Sequence, residues 1–316
     1  MIDRESMTRI LAGLALCLAA RTATAQGGES GPIVLEHPAS ARSLGLGGAM
    51  TAVRDGDAAL FSNPALLDAK AGSSASMSGQ HYIASSTLAA ASAAMSALGG
   101  SIAIGLRGLN YGSVNEYVPD TINFGGQRGI ATGRDVTASE FALTAGFARA
   151  MSRVRIGGAV SYVRQQIANE SGGTASIDVG VATDLSRGIV LGVAVQHIGP
   201  DLKLATTPSP LPRLVRAGVS VPSHVGPLGA LVAGEVVVRR SGDVVPRGGA
   251  ELWWRTANGV TLTARAGARG GSADDVLSRF TYGGGIAASH VALEYAHQGM
   301  AALGGGAHRV GVRFQR

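Results

Sequence analysis

Ser289 and His290 stand side by side near the end of the chain, the residue types of a nucleophile and its base in an outer-membrane phospholipase. Neighbours on a strand point to opposite faces, so this pair cannot act together. The seven histidines are dispersed; His81, His197 and His290 lie on or beside strand-like segments without metal-ligand spacing. Neither G-x-S-x-G nor H-E-x-x-H occurs. Gly283-Gly284-Gly285 lacks the Lys and Ser of a phosphate loop. It reads as a strand approached closely by another backbone, with an N-terminal plug as the expected neighbour. No catalytic, metal or cofactor-binding set emerges, and the chain reads as a non-enzyme. What recurs is a charge opposite an apolar face: Asp178, Glu235, Arg265, Glu294 and Arg309. These charges are expected to line and solvate a polar lumen, with selectivity as the alternative role.

Period-two alternation must position them. Ile177, Val179 and Val181 oppose Ser176, Asp178 and Asp184. Leu262, Ala264 and Ala266 oppose Thr263 and Arg265; Val310, Val312 and Phe314 oppose Arg309 and Arg313. Further strands are read at Ala75–Ile83, Thr87–Ala97, Ser101–Leu109, Phe141–Ala150, Val154–Arg164 and Ile189–His197. Others fall at Arg213–Val221, Leu228–Val238, Gly248–Arg255, Phe280–Ala288 and Val291–Tyr295. Thr87–Ala97, rich in Ala and Ser, suits a helix equally. The set is about 14 segments, each close to the length a tilted strand needs to cross a bilayer. Short connections such as Leu98–Gly100 and Met151–Arg153 alternate with long ones such as Tyr111–Ser139, Gln165–Gly173 and Gly199–Pro212. Bacterial barrels alternate short periplasmic turns with long outer loops in this way. The expected fold is all-β: a transmembrane antiparallel up-and-down barrel over 75–316.

Composition agrees. Charged residues make up 15% of the 316 positions, and there are 47 glycines. A typical globular domain has about 25% charged residues. The net charge of +6 comes mostly from dispersed arginine, with no basic stripe, so nucleic acid is not an expected partner. Aromatics are scarce at 4%. Trp253, Trp254, Tyr162, Tyr282, Tyr295 and Phe314 are the candidates for interfacial girdles. A soluble periplasmic β-protein explains that scarcity better, but not the loop pattern.

At the N-terminus, Arg9, the apolar run Ile10–Ala20 and Ala23-Thr24-Ala25 read as a signal peptide over 1–25. Met7 is a candidate start. A lipoprotein signal ending at Cys17 is the rival reading, though Leu16 stands where a small residue is expected. Cys17 is the single cysteine, so the mature chain would carry no disulfide. The C-terminus closes on an alternating segment with Phe314 two residues from the end.

Residues 26–74 do not alternate, and read as a compact, partly helical segment. Gly45, Gly47 and Gly48 prescribe tight backbone, and Asn63 caps a turn that Pro64 begins. Irregular backbone at membrane depth must lie inside protein or a watery cavity, so the segment is expected to plug the lumen. Arg42, Gly45-Leu46-Gly47-Gly48-Ala49, Asp55, Asp57-Ala58-Ala59 and Asn63-Pro64-Ala65 together resemble the N-terminal signature of FadL-like barrels. The Gly-Gly-Ala spacing and Phe61 ahead of Asn63 are most similar to the PorV/PorQ branch. The resemblance implies a bacterial outer-membrane barrel of 14 strands. It implies either support of type IX protein secretion or passage of hydrophobic compounds such as fatty acids. Outer-membrane lipid, hydrophobic small molecules and secretion-system proteins are the implied partners. A structural or adhesive barrel whose Tyr111–Ser139 loop binds a partner is a further alternative.

Overall fold

The computed structural model describes residues 31–68, 72–81, 86–122, 129–271, 277–300 and 305–316. The expected signal segment, with Cys17 and the Ala23-Thr24-Ala25 site, lies outside the described residues. Fourteen antiparallel strands close into one barrel. They are β1 (Ser73–His81), β2 (Thr87–Ala97), β3 (Gly100–Pro119), β4 (Gly129–Met151), β5 (Val154–Ile167), β6 (Glu170–Asp184) and β7 (Val190–Ile198). A small hairpin, β8 (Leu202–Leu204) with β9 (Thr207–Ser209), follows in the outer loop. The wall resumes with β10 (Leu214–Val225), β11 (Leu228–Arg239), β12 (Val244–Arg255), β13 (Thr261–Arg269), β14 (Phe280–Ala288), β15 (Val291–Met300) and β16 (Gly305–Gln315). Pairing of β1 with β16, from Ser74 opposite Gln315 to His81 opposite His308, seals the cylinder and removes every free edge.

The alternation in sequence becomes two surfaces. Ile104, Val160, Ile177, Val232, Leu293 and Val310 are more than half or close to half exposed on the outer face. Apolar side chains ring the whole cylinder, well beyond the few hundred Å² of patch that soluble proteins tolerate. Thr87–Ala97 is a strand, because its Leu88, Ala90, Ser92 and Ala94 face inward against the plug. Trp253 departs from the girdle expectation. It shares inward parity with Glu251 and packs beside Leu46 and Leu231, whereas Trp254 points outward.

Two of the expected long loops are strand instead. Val114 pairs with Val136 and Val118 with Ile130, so β3 and β4 run 20 and 23 residues as one projecting hairpin. Its polar and β-branched residues pair outside the apolar band, where membrane-length alternation is no guide to strand ends. Likewise Gln165 pairs with Gly172, leaving Ala168 and Asn169 as a tight turn within the expected Gln165–Gly173 loop. At the opposite rim Leu98 and Gly99 both take positive φ, 55° and 69°, which suits a two-residue hairpin twisted like its strands. Bacterial outer-membrane barrels turn the rim with such short connections toward the periplasm.

Residues 31–67 fill the barrel. The chain passes from Gly31, against Pro210 of the outer loop, through a single-turn 3-10 segment at Ile33–Leu35 and helix α1 (Ala41–Gly45). It continues through 3-10 turns at Gly56–Phe61 and Pro64–Leu66 toward the rim of short turns. Leu46, Met50, Leu60 and Leu66 are fully buried against the wall. The core of this protein is therefore the annulus between plug and cylinder.

Candidate functional site

The plug is held by local devices first. Ser40 caps α1 by accepting from the Ser43 amide at 3.0 Å. Gly47 and Gly48 end the helix with φ of 65° and 80°, a left-handed turn that side chains rarely adopt. Gly45 lies over the Arg265 side chain and close to Gly283, so the glycine run of β14 does receive a plug backbone. Asn63 caps the turn of Pro64 and Ala65 through the Ala65 amide at 3.1 Å, and its amide donates to the Thr51 carbonyl at 2.8 Å. A Cβ on Gly180 of β6 would stand 2.0 Å from Asn63 Oδ1, so the close approach requires glycine there. Asp57 accepts from the Ser92 hydroxyl at 2.6 Å and the Ser76 hydroxyl at 2.5 Å, tying the plug to β1 and β2.

Charges then join plug to wall in a closed circuit. Arg42 donates to Glu251 of β12 at 2.8 Å and to Asp55 at 3.1 Å. Glu251 accepts from Arg265 of β13 at 2.5 Å, and Arg265 donates to Glu294 of β15 at 2.8 Å. Arg313 of β16 lies 3.6 Å from Glu294 and 2.7 Å from Asp55, which completes the circuit. Arg42, Arg265 and Arg313 balance Asp55, Glu251 and Glu294, so the six groups are neutral together. Each side chain is at most 14% exposed. Burial pushes the Asp55 carboxyl up, but Arg313 and Arg42 pull it below the usual carboxylate range.

A second cluster holds the middle of the plug. Glu235 accepts from the Met50 and Thr51 amides at 2.9 and 2.8 Å, and from Arg216 at 2.7 Å. Arg216 also donates to Gln196 at 2.9 Å, and Asp178 accepts from Gln196 and from the His197 amide. Arg309 donates to Gln80 at 2.8 Å and to the Pro38 carbonyl. All five lumen charges singled out in sequence thus face inward, but they divide among separate clusters. Glu251 and Arg216 were not singled out, although each alternates with outward apolar neighbours on its own strand, Ala250 and Leu252 for Glu251 and Val215 for Arg216. Arg313 was read opposite the apolar face of its strand, and Asp55 stood in the N-terminal signature.

Outside the plug, toward the outer rim, lies a chamber of 220 Å³. Ile33, Leu44 and Leu277 form its apolar side, and Arg239, Arg247 and Arg269 line it from β11, β12 and β13. Glu36 approaches Arg239 and Glu235 approaches Arg247, each at 3.7 Å, and the Arg247 Nε is buried without a hydrogen-bond partner. His37 also lines the chamber; burial, then Arg309, Arg269 and Arg107, push its imidazole down to about 4. The arrangement can hold an organic molecule with an anionic end.

Fold and lumen together define a plugged antiparallel barrel with an apolar exterior. No protein-family model matches the chain, and no curated protein matches its sequence. Solved structures do match. CymD, a monoaromatic hydrocarbon channel, is similar at a TM-score of 0.61 over 92% of this chain and 99% of its own, with 10% identity. The P. putida toluene transporter TodX matches at 0.57 over 90% and 98%, with 13% identity. A Pseudomonas aeruginosa FadL homologue matches at 0.53 over 88% and 98%, with 9% identity. The chain therefore shares the barrel fold of these three proteins.

Proposed function

We propose that this protein is an outer-membrane barrel that takes up hydrophobic compounds bearing an anionic group, receiving them in the chamber above its plug. The observation that carries this reading is the meeting of Ile33, Leu44 and Leu277 with Arg239, Arg247 and Arg269 around one 220 Å³ space. A hydrocarbon needs only the apolar side, and a mineral anion only the arginines. A molecule with both uses the whole surface. Passage requires the plug to yield, since its backbone fills the lumen beneath. The signal segment over 1–25 belongs to the same reading, as does a plug that gives way to the wall where β1 begins at Ser73.

Uptake of a labelled aromatic carboxylate by cells whose native barrel is replaced with this one tests the proposal. Arg247→Gln is expected to lower uptake several-fold while the uptake of a neutral aromatic of equal size changes little. Equal loss for both compounds, or none for either, removes the reading.

Secretion support of the PorV/PorQ kind is a second reading, favoured by the projecting β3–β4 hairpin. Val114 and Tyr117 there are 66% and 62% exposed, and Ile122 beyond β3 is 91% exposed, an apolar surface beyond the membrane band. Deletion of the hairpin tip separates the two: lost co-purification of secretion components with intact uptake supports secretion.

A further inference from the structure

On the outer face of the wall, five strands present one polar row. Tyr282, His297, His308, His81 and Thr87 are successive cross-strand partners on β14, β15, β16, β1 and β2. Their neighbours Thr281, Gln298, Ala307 and Arg309 are buried, which fixes the row as outward. The Tyr282 and His297 rings lie 4.8 Å apart, as do those of His297 and His308. Tyr295, one row below, shares a hydrogen bond of 2.7 Å with His308 Nδ1.

Below Tyr295 and the row, the outward side chains on β16, β1 and β2 are apolar. The next pairs on β16, β1 and β2 are Val310–Gly79–Ala89, Val312–Met77–Ala91 and Phe314–Ala75–Ala93. Ala89, Ala91 and Ala93 floor a trough along β2. Met77 walls it on the β1 side, and Leu106 and Ile104 on the β3 side. At its foot the trough opens into a cavity of 510 Å³, lined by Ala75, Ala93, Met95, Ile102, Ile104 and Phe314. From Thr87 to Ala93 the trough measures roughly 20 Å at the rise of an antiparallel strand.

His308 spends Nδ1 on Tyr295, while His297 Nδ1 is buried without a hydrogen-bond partner, and polar groups against hydrocarbon are costly when unpaired. A neutral imidazole brings one N–H donor and a protonated one brings two. A phosphoryl group offers such donors several acceptor oxygens. Only a ligand lodged in the bilayer meets both the row and the trough. We propose that this face binds one phosphorylated acyl lipid of the outer leaflet, its phosphoryl head on His297, His308 and His81 and one chain along the alanine trough of β2. The site is separate from the lumen, so its fate is independent of the uptake reading.

The test uses the full barrel, delipidated in detergent and offered lipid A, its dephosphorylated counterpart, or phosphatidylglycerol, with bound lipid counted by native mass spectrometry. One lipid A per barrel is expected, with retention of its dephosphorylated counterpart about tenfold lower, the scale of one or two charge-assisted hydrogen bonds; phosphatidylglycerol, which also brings a phosphoryl head and acyl chains, is expected to be retained. The double change His297→Gln with His308→Gln is expected to lower lipid A retention about tenfold, and Ala91→Leu to lower it by blocking the trough. Heat-modifiable gel mobility confirms that each variant is folded, and the lipid comparison needs no variant at all. Equal retention of lipid A and its dephosphorylated counterpart overturns the proposal. So does Zn²⁺ binding that the histidine changes abolish while lipid A retention stays the same.

Discussion

Arg42 and Glu251, 209 positions apart, are joined by two parallel hydrogen bonds of 2.9 and 2.8 Å, one from Nε and one from Nη2. This fork is the point where the leading segment is clamped to the barrel wall, and Glu251 is simultaneously held by Arg265. Planar two-point recognition of a carboxylate is what guanidinium does best.

Removing one member should leave a buried charge uncompensated. Glu251→Gln is expected to destabilise the plugged barrel by about 3–5 kcal/mol. The midpoint of heat-modifiable mobility reads this out. Arg42→Met combined with Glu251→Leu should fall less than the sum of the single changes, because the two charges vanish together.

Gly180→Ala should displace the plug, since a Cβ would stand 2.0 Å from Asn63 Oδ1. Entry of a bulky antibiotic normally excluded by the outer membrane is expected to rise. Gly158→Ala is the control: its Cβ would meet nothing nearer than 3.6 Å. Equal permeability of the two variants would remove Gly180 as a plug contact.

Asn63→Ala removes the cap on the Ala65 amide and strands the Thr51 carbonyl. A loss of about 1–3 kcal/mol is expected. Asn63→Asp should restore the cap but not the donation to Thr51, and fall between. Thermal midpoints in one detergent rank the three.

His37 supplies a pH dependence. Its folded value lies near 4, below the ordinary 6.5, so the unfolded chain binds the extra proton more readily. Stability contributed by neutral His37 is thus fully present above pH 6.5 and lost progressively as pH falls toward 4. Unfolding midpoints measured across that window should fall less steeply in His37→Gln than in the parent protein.

Alternation and the spacing of short and long connections were enough, from sequence, to place fourteen strands and to point Asp178, Glu235, Arg265, Glu294 and Arg309 inward. The reason is local: side chains on a strand alternate faces whatever the partner strand is. The plug's turns at Asn63-Pro64 and Gly47-Gly48 were equally legible, because caps and left-handed turns are written in neighbouring residues. Strand ends beyond the membrane were not, since polar strands and polar loops share a composition, as β3 and β4 demonstrate.

The circuit from Arg42 through Glu251, Arg265, Glu294 and Arg313 to Asp55 was decided by tertiary structure alone. So were the meeting of Arg239, Arg247 and Arg269 above the plug and the histidine row across β15, β16 and β1. Period two tells which face a residue takes. Which residues stand side by side depends on cross-strand register and on closure between β1 and β16, and register is a property of the assembled cylinder.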